Sequence, residues 1–151
     1  MFGKLIEFYG RNIAVASAPF PGLVDVLDTL QSRGMAIAIC TNKREDMAKL
    51  LMQELGLTSY FKVITGRDTF AVCKPDPEHL LSAIRLAGGT AGRSVMVGDS
   101  TTDYETAKAA NIPIIGVTFG YTDIPVANLD CEAVISDYAD FLPALDRLMP
   151  A

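Results

Sequence analysis

The apolar run Met35 to Cys40 stops abruptly at Thr41-Asn42-Lys43, and the same design recurs along the chain as apolar run, polar cluster, then amphipathic stretch. Short apolar runs bounded by turn residues suit strands buried on both faces, and the intervening 3.6-residue periodicity suits helices. Strands are therefore expected at Met35 to Cys40, Phe61 to Ile64, Val95 to Val97, Ile114 to Val117 and Ala133 to Ile135. Helices are expected at Leu23 to Leu30, Arg44 to Leu55, Pro77 to Ala87, Thr102 to Ala110 and Tyr138 to Met149. Strands alternating with helices imply an α/β fold, a three-layer Rossmann-like core with a mostly parallel sheet.

Local punctuation agrees. Pro19-Phe20-Pro21-Gly22 reads as a turn, and Gly34 and Gly56 stop helices. Asp76 reads as an N-cap with Pro77 as the first helical residue. Thr102-Asp103-Tyr104-Glu105 has capping-box form. At the other end, Phe2, Leu5, Ile6, Tyr9 and Ile13 recur at helical spacing, so the chain is expected to open with an amphipathic helix that ends near Ala14 to Ala18. Residues 1–18 then form a helix and linker, and residues 19–151 a single core domain, which 151 residues at 50% hydrophobic content can bury.

Thirteen Lys and Arg against 18 Asp and Glu give a net charge of −5, which leaves no basic footprint for nucleic acid or an anionic membrane. A small anionic ligand would need a locally positive pocket. Cys40, Cys73 and Cys131 are odd in number and widely spaced, as expected of reduced thiols in a cytoplasmic protein. With one His and no paired ligand spacing, zinc is not expected. No apolar run approaches the ~20 residues that span a bilayer, and the first residues lack a signal-peptide pattern.

In open parallel sheets, ligands bind beyond the carboxyl ends of the strands. Three polar clusters fall there: Thr41-Asn42-Lys43, Lys74-Pro75-Asp76-Pro77, and Gly98-Asp99 through Asp103. Each has a plainer reading. Asn42 with Glu45 has capping-box spacing, Asp99 and Asp103 suit a turn and a cap, and Lys74 could be a surface lysine. Against this, two carboxylates converging at a strand end make a hard oxygen site of the kind Mg2+ accepts, and a facing ammonium would neutralise charge that grows in phosphoryl transfer. Lys43 and Arg67 lie near the same crevice, where paired cations suit a substrate carboxylate, although solvated loop charges are the plainer reading. His79 reads as a surface or packing residue.

In order and spacing, these clusters resemble the haloacid dehalogenase-like hydrolases over essentially the whole chain. The resemblance implies that Thr41 of Ile39-Cys40-Thr41 bonds a phosphoryl group, with Asn42 beside it. It further implies that Lys74 contacts phosphate and nucleophile, and that Asp99 and Asp103 of Gly-Asp-x-x-x-Asp carry Mg2+. Phe20-Pro21-Gly22, Cys-Thr-Asn-Lys, Lys-Pro-Asp-Pro and Val-Gly-Asp-Ser are similar to the phosphoglycolate phosphatase branch, though related sugar-phosphate hydrolases share much of this wording. By resemblance, residues 1–18 are a remnant of a helical cap, and the ligand is a small phosphorylated metabolite.

The family's Asp-x-Asp-x-Thr motif, whose first Asp attacks phosphorus and whose second is general acid and base, has no match in the sequence. In the family it ends the central strand, between those ending at Thr41 and Asp99. Its absence is expected to leave a slot of ~9.6 Å in the sheet, flanked by unpaired strand edges. A fragment missing its upstream part, a strand donated by a neighbouring copy, or a refolded Asn12 to Ala16 would each account for the slot. Self-association through the slot or the apolar first helix is a further expectation. The isolated chain is expected to be inactive. The alternatives are a catalytically dead phosphate-binding or interaction domain, or a phosphatase for another small sugar phosphate.

Overall fold

A computed structural model describes residues 21–118 and 129–149 in full, together with the backbone of residues 3–8, 14–15 and 18–19. The elements run β1 (Gly3–Phe8), β2 (Ala14–Val15), β3 (Ala18–Pro19), α1 (Leu23–Ser32), β4 (Ala36–Cys40), α2 (Glu45–Glu54), a 3-10 turn (Thr58–Tyr60) and β5 (Val63–Thr65). They continue with α3 (Pro77–Leu86), β6 (Gly89–Gly98), α4 (Thr101–Ala110), β7 (Ile114–Val117), β8 (Ala133–Ile135), a second 3-10 turn (Tyr138–Asp140) and α5 (Phe141–Leu148). β2 and β3 form a small antiparallel pair. The other six strands form one parallel sheet in the order β5-β4-β1-β6-β7-β8.

Alternation along each strand divides the core in two, because successive side chains leave opposite faces. Ile37, Ile39, Val95, Val97, Ile115 and Val117 pack with α1, α2 and α5, where Leu23, Leu27, Met52 and Phe141 are buried. Ala38, Met96 and Ile114 face the other way, against Leu80 and Ile84 of α3 and Ala107 of α4. Both faces are covered, as the continuous apolar runs require.

The opening segment departs from the sequence expectation. Residues 3–8 are a strand, not the first turns of an amphipathic helix, and they belong to the core sheet, not to a separate remnant. β1 pairs with β4 from Leu5↔Ala36 to Phe8↔Ile39 and with β6 from Leu5↔Ser94 to Glu7↔Met96. It therefore fills the central slot with a sequence that carries no Asp-x-Asp. Of the Asn12 to Ala16 alternative, residues 14–15 lie in the β2–β3 pair, and the rest lies outside the described residues, as do Phe2, Tyr9 and Ile13. The physical reason is tertiary. Two buried strand edges leave amides that cost ~1–3 kcal/mol each if unpaired, whereas helix propensity differs by only a few tenths of a kcal/mol per residue. The slot is thus filled, and residues 3–8 form no helix.

Candidate active site

Thr41 and Asp99 each stand at the carboxyl end of a parallel strand, β4 and β6. Thr41 follows β4 and is buried, 1% exposed. Its N–H donates to the Thr65 carbonyl at 3.1 Å, extending the β4–β5 ladder by one residue, and its Oγ1 accepts from Lys43 N–H at 3.1 Å. Asn42 does not cap the next helix. The N-cap of α2 is Arg44, without a side-chain cap. Asn42 instead reaches across the crevice, where its Nδ2 donates to the Lys74 carbonyl at 3.0 Å. Its Oδ1 is buried and has no hydrogen-bond partner among the described residues.

The turn after β6 is set by Ser100. Its Oγ accepts from Asp103 N–H at 3.2 Å, so Ser100 is the N-cap of α4, and the helix starts one residue before the expected capping box at Thr102. In this turn Asp103 folds back onto the strand end, and its Oδ2 accepts from Asp99 N–H at 3.1 Å. Gly98 permits this. A Cβ there would lie 2.5 Å from Asp103 Cβ and 2.7 Å from its Oδ2. Asp99 and Asp103 are both 0% exposed.

Lys74 arrives from the loop before α3, and its Nζ meets Asp103 Oδ1 at 2.6 Å with both side chains fully buried. Buried charges persist only when paired or coordinated. Asp99 is buried at the same strand end, and two carboxylates gathered there suit a bound cation. Among the described residues no group of three or more His, Cys, Asp or Glu gathers, and Asp99 and Asp103 are the two carboxylates they bring to the end of β6. That donor set fits Mg2+, which keeps several waters and takes one or two carboxylates plus substrate phosphate. Asp99 and Asp103 would hold it.

Two neighbours were not singled out as part of the site by sequence. Tyr138, buried at 2% exposure, sits near enough to Asp99 that burial and then the Asp99 charge hold its hydroxyl far above the usual phenol range. His79 is a packing residue, 0% exposed, and it touches Lys74: Lys74 N–H lies 3.3 Å from its Nδ1. The signal for His79 was its place in the first turn after Lys-Pro-Asp-Pro, where α3 runs over the sheet. Tyr138 gave none, because it reaches the site from the far end of the chain.

Lys43 and Arg67 are exposed and stand on adjoining loops. Arg67 N–H donates to the Lys43 carbonyl at 2.8 Å, and Glu45 N–H to Asp68 Oδ1 at 2.8 Å. A Cβ on Gly66 would fall 2.3 Å from Glu45 N, so only glycine lets the loops close this far.

A six-stranded parallel sheet with covered faces and a buried Thr, Lys and Asp pair beyond its inner strands defines a Rossmann-like α/β domain whose crevice is built for charge. The chain belongs to the haloacid dehalogenase-like hydrolase family, whose profile matches residues 1–117. It is 47% identical over 145 residues to a phosphoglycolate phosphatase of Agrobacterium fabrum, covering 96% of this chain and 62% of that protein. It is 50% identical over 133 residues to one of Mesorhizobium japonicum, covering 88% and 59%. The crystal structure of a predicted phosphoglycolate phosphatase from Haemophilus somnus superposes with a TM-score of 0.80 at 27% identity, over 89% of this chain and 60% of that one. The chain thus spans about three-fifths of the length of these relatives.

Proposed function

We propose that this chain supplies the phosphate- and metal-binding part of a Mg2+-dependent phosphomonoester hydrolase of phosphoglycolate phosphatase type. The observation that carries the reading is the buried Lys74–Asp103 contact beside Asp99, one strand position across from β1, with Thr41 beyond the strand on its other side. In this reading Thr41 Oγ1 and the Asn42 side chain hold phosphoryl oxygens. The Lys74 ammonium offsets charge that develops on them, and its burial makes that interaction stronger than it would be in water. Mg2+ held by Asp99 and Asp103 supplies further positive charge against the phosphate. Lys43 and Arg67 at the rim receive a substrate carboxylate, which phosphoglycolate has and many phosphomonoesters lack.

Turnover in the proposed reaction runs through an aspartyl-phosphate, formed by the first Asp of Asp-x-Asp with the second as acid and base. The chain has no such motif, so on its own it is expected to bind and not to hydrolyse. None of the three cysteines is in a disulfide, which is in keeping with a cytoplasmic setting, and among the described residues no helix is long and apolar enough to cross a membrane. Phosphate release from phosphoglycolate with Mg2+ tests the reading. The chain alone should give none, and a polypeptide extended upstream with an Asp-x-Asp-x-Thr segment should give it. Turnover by the chain alone would refute the need for that motif. A silent extended polypeptide that also fails to bind phosphate would overturn the hydrolase reading.

A further inference from the structure

His79 is the sole histidine, and its two ring nitrogens face groups whose roles are fixed by other contacts. On one side, the Lys74 backbone N–H can only donate, so Nδ1 at 3.3 Å must accept and carries no proton. On the other, Thr65 Oγ1 donates its single proton to the Ile39 carbonyl at 2.9 Å. It therefore accepts from Nε2–H at 3.3 Å. Only the neutral Nε2–H tautomer satisfies both. Phe70 closes the pocket edge-on, with ring centroids 5.6 Å apart, and burial followed by the Lys74 charge holds the imidazole down to about 4.

The chain of contacts runs from Ile39, two residues before Thr41, through Thr65 and His79 to the backbone of Lys74, whose ammonium meets Asp103. Asn42 grips the same residue from the opposite side, at the Lys74 carbonyl. The Lys74 backbone is thus held at both its N–H and its C=O by side chains from the sheet and from α3. A lysine on a loop has four rotatable side-chain bonds and would otherwise spread its ammonium over many positions.

We propose that His79, as the neutral Nε2–H tautomer, is a positioning residue that ties Lys74 to the β4–β5 ladder and so fixes the lysine ammonium against Asp103. Resting on the proposed phosphate role of Lys74, the tie transmits the geometry of the Thr41 strand to the lysine. Loss of the Nδ1 acceptor should free the Lys74 backbone and disorder its ammonium without removing a group that touches phosphate. Because the side chain is short, Asn at this position can present an oxygen near the Nδ1 site, whereas Gln presents its polar end nearer Nε2.

The experiment uses 15N-labelled chain. Long-range proton–nitrogen correlation at neutral pH should show His79 with Nδ1 unprotonated and Nε2 protonated; an Nδ1–H tautomer or an imidazolium would overturn the proposal. This needs no variant and is therefore independent of whether one folds. The Lys74 ammonium, protected by burial, should give a resolved signal that disappears or shifts in His79→Gln and returns in His79→Asn. An unchanged signal in His79→Gln would overturn the positioning role. Titration with inorganic phosphate and Mg2+ should show affinity falling about tenfold in His79→Gln, with most of it regained in His79→Asn. If wild-type chain binds no phosphate, the proposed function fails, while the tautomer and the ammonium signal still decide the role of His79.

Discussion

Replacing Asp99 with Asn should make the protein more stable in the absence of metal and indifferent to its presence. The residue is 0% exposed and shares its site with a second buried carboxylate and one ammonium. Burying an ionised carboxylate this completely carries a desolvation cost of several kcal/mol even after relaxation. Asn keeps the shape and an acceptor while removing the charge, so a net gain of about 2 kcal/mol is expected after allowing for contacts the amide group makes less well. In a chain of this length that corresponds to a rise in Tm of roughly 4–8 °C. The assay is thermal unfolding with EDTA and then with increasing Mg2+. Wild type should start lower and climb as RT ln(1 + [Mg2+]/Kd), while the Asn variant should start higher and stay flat. A variant that melts below wild type in EDTA, or that retains the full Mg2+ shift, would refute the idea that a buried charge is kept here to hold a cation.

Lys74→Met should cost roughly 3–5 kcal/mol in urea unfolding, since it strands the buried Asp103 carboxylate, and adding Asp103→Leu should recover part of the loss; equal costs for single and double variants would count against the pair. Gly98→Ala should destabilise by about 1–3 kcal/mol and weaken Mg2+ binding together, because the new methyl group and the Asp103 side chain compete for one space. Acid should also weaken the fold through His79, which faces Lys74, Thr65 and Phe70 and whose folded value of about 4 lies below the ordinary 6.5. The unfolded chain takes up the proton first, so the contribution is complete above about pH 6.5 and is lost as pH falls towards 4. At pH 5 the loss is roughly 2 kcal/mol relative to pH 7.5, and His79→Phe should flatten the profile over that range.

The five helices between α1 and α5 and the strands at β4, β5, β6, β7 and β8 were legible because each carries its own periodicity and punctuation. Leu23, Val26, Leu27 and Leu30 mark a buried stripe, and Asp76 accepts from Glu78 N–H at 2.9 Å as the N-cap it was read to be. The charged cluster was legible for a similar reason. Asp99 and Asp103 are four residues apart across a strand end and a helix start, so local geometry alone brings them together. Lys74 needed more, since nothing local says that its loop crosses to Asp103. Order along the chain, read by resemblance, supplied what spacing did not.

What sequence could not decide was every contact whose partner lies on another element. Asn42 had capping-box spacing with Glu45, yet its side chain serves the Lys74 carbonyl 32 residues away. His79 could be assigned to packing, but its tautomer follows from Thr65 and Lys74, which the sheet and α3 bring to opposite sides of the ring. Residues 3–8 show the same limit most clearly. Their helical spacing was real, and the sheet overruled it, because strand pairing on two buried edges outweighs a local preference worth tenths of a kcal/mol per residue. Local pattern thus determined which elements form and where the charged residues stand along them. Only the assembled sheet decided which of those residues meet, since pairing energy depends on edges that no stretch of sequence contains by itself.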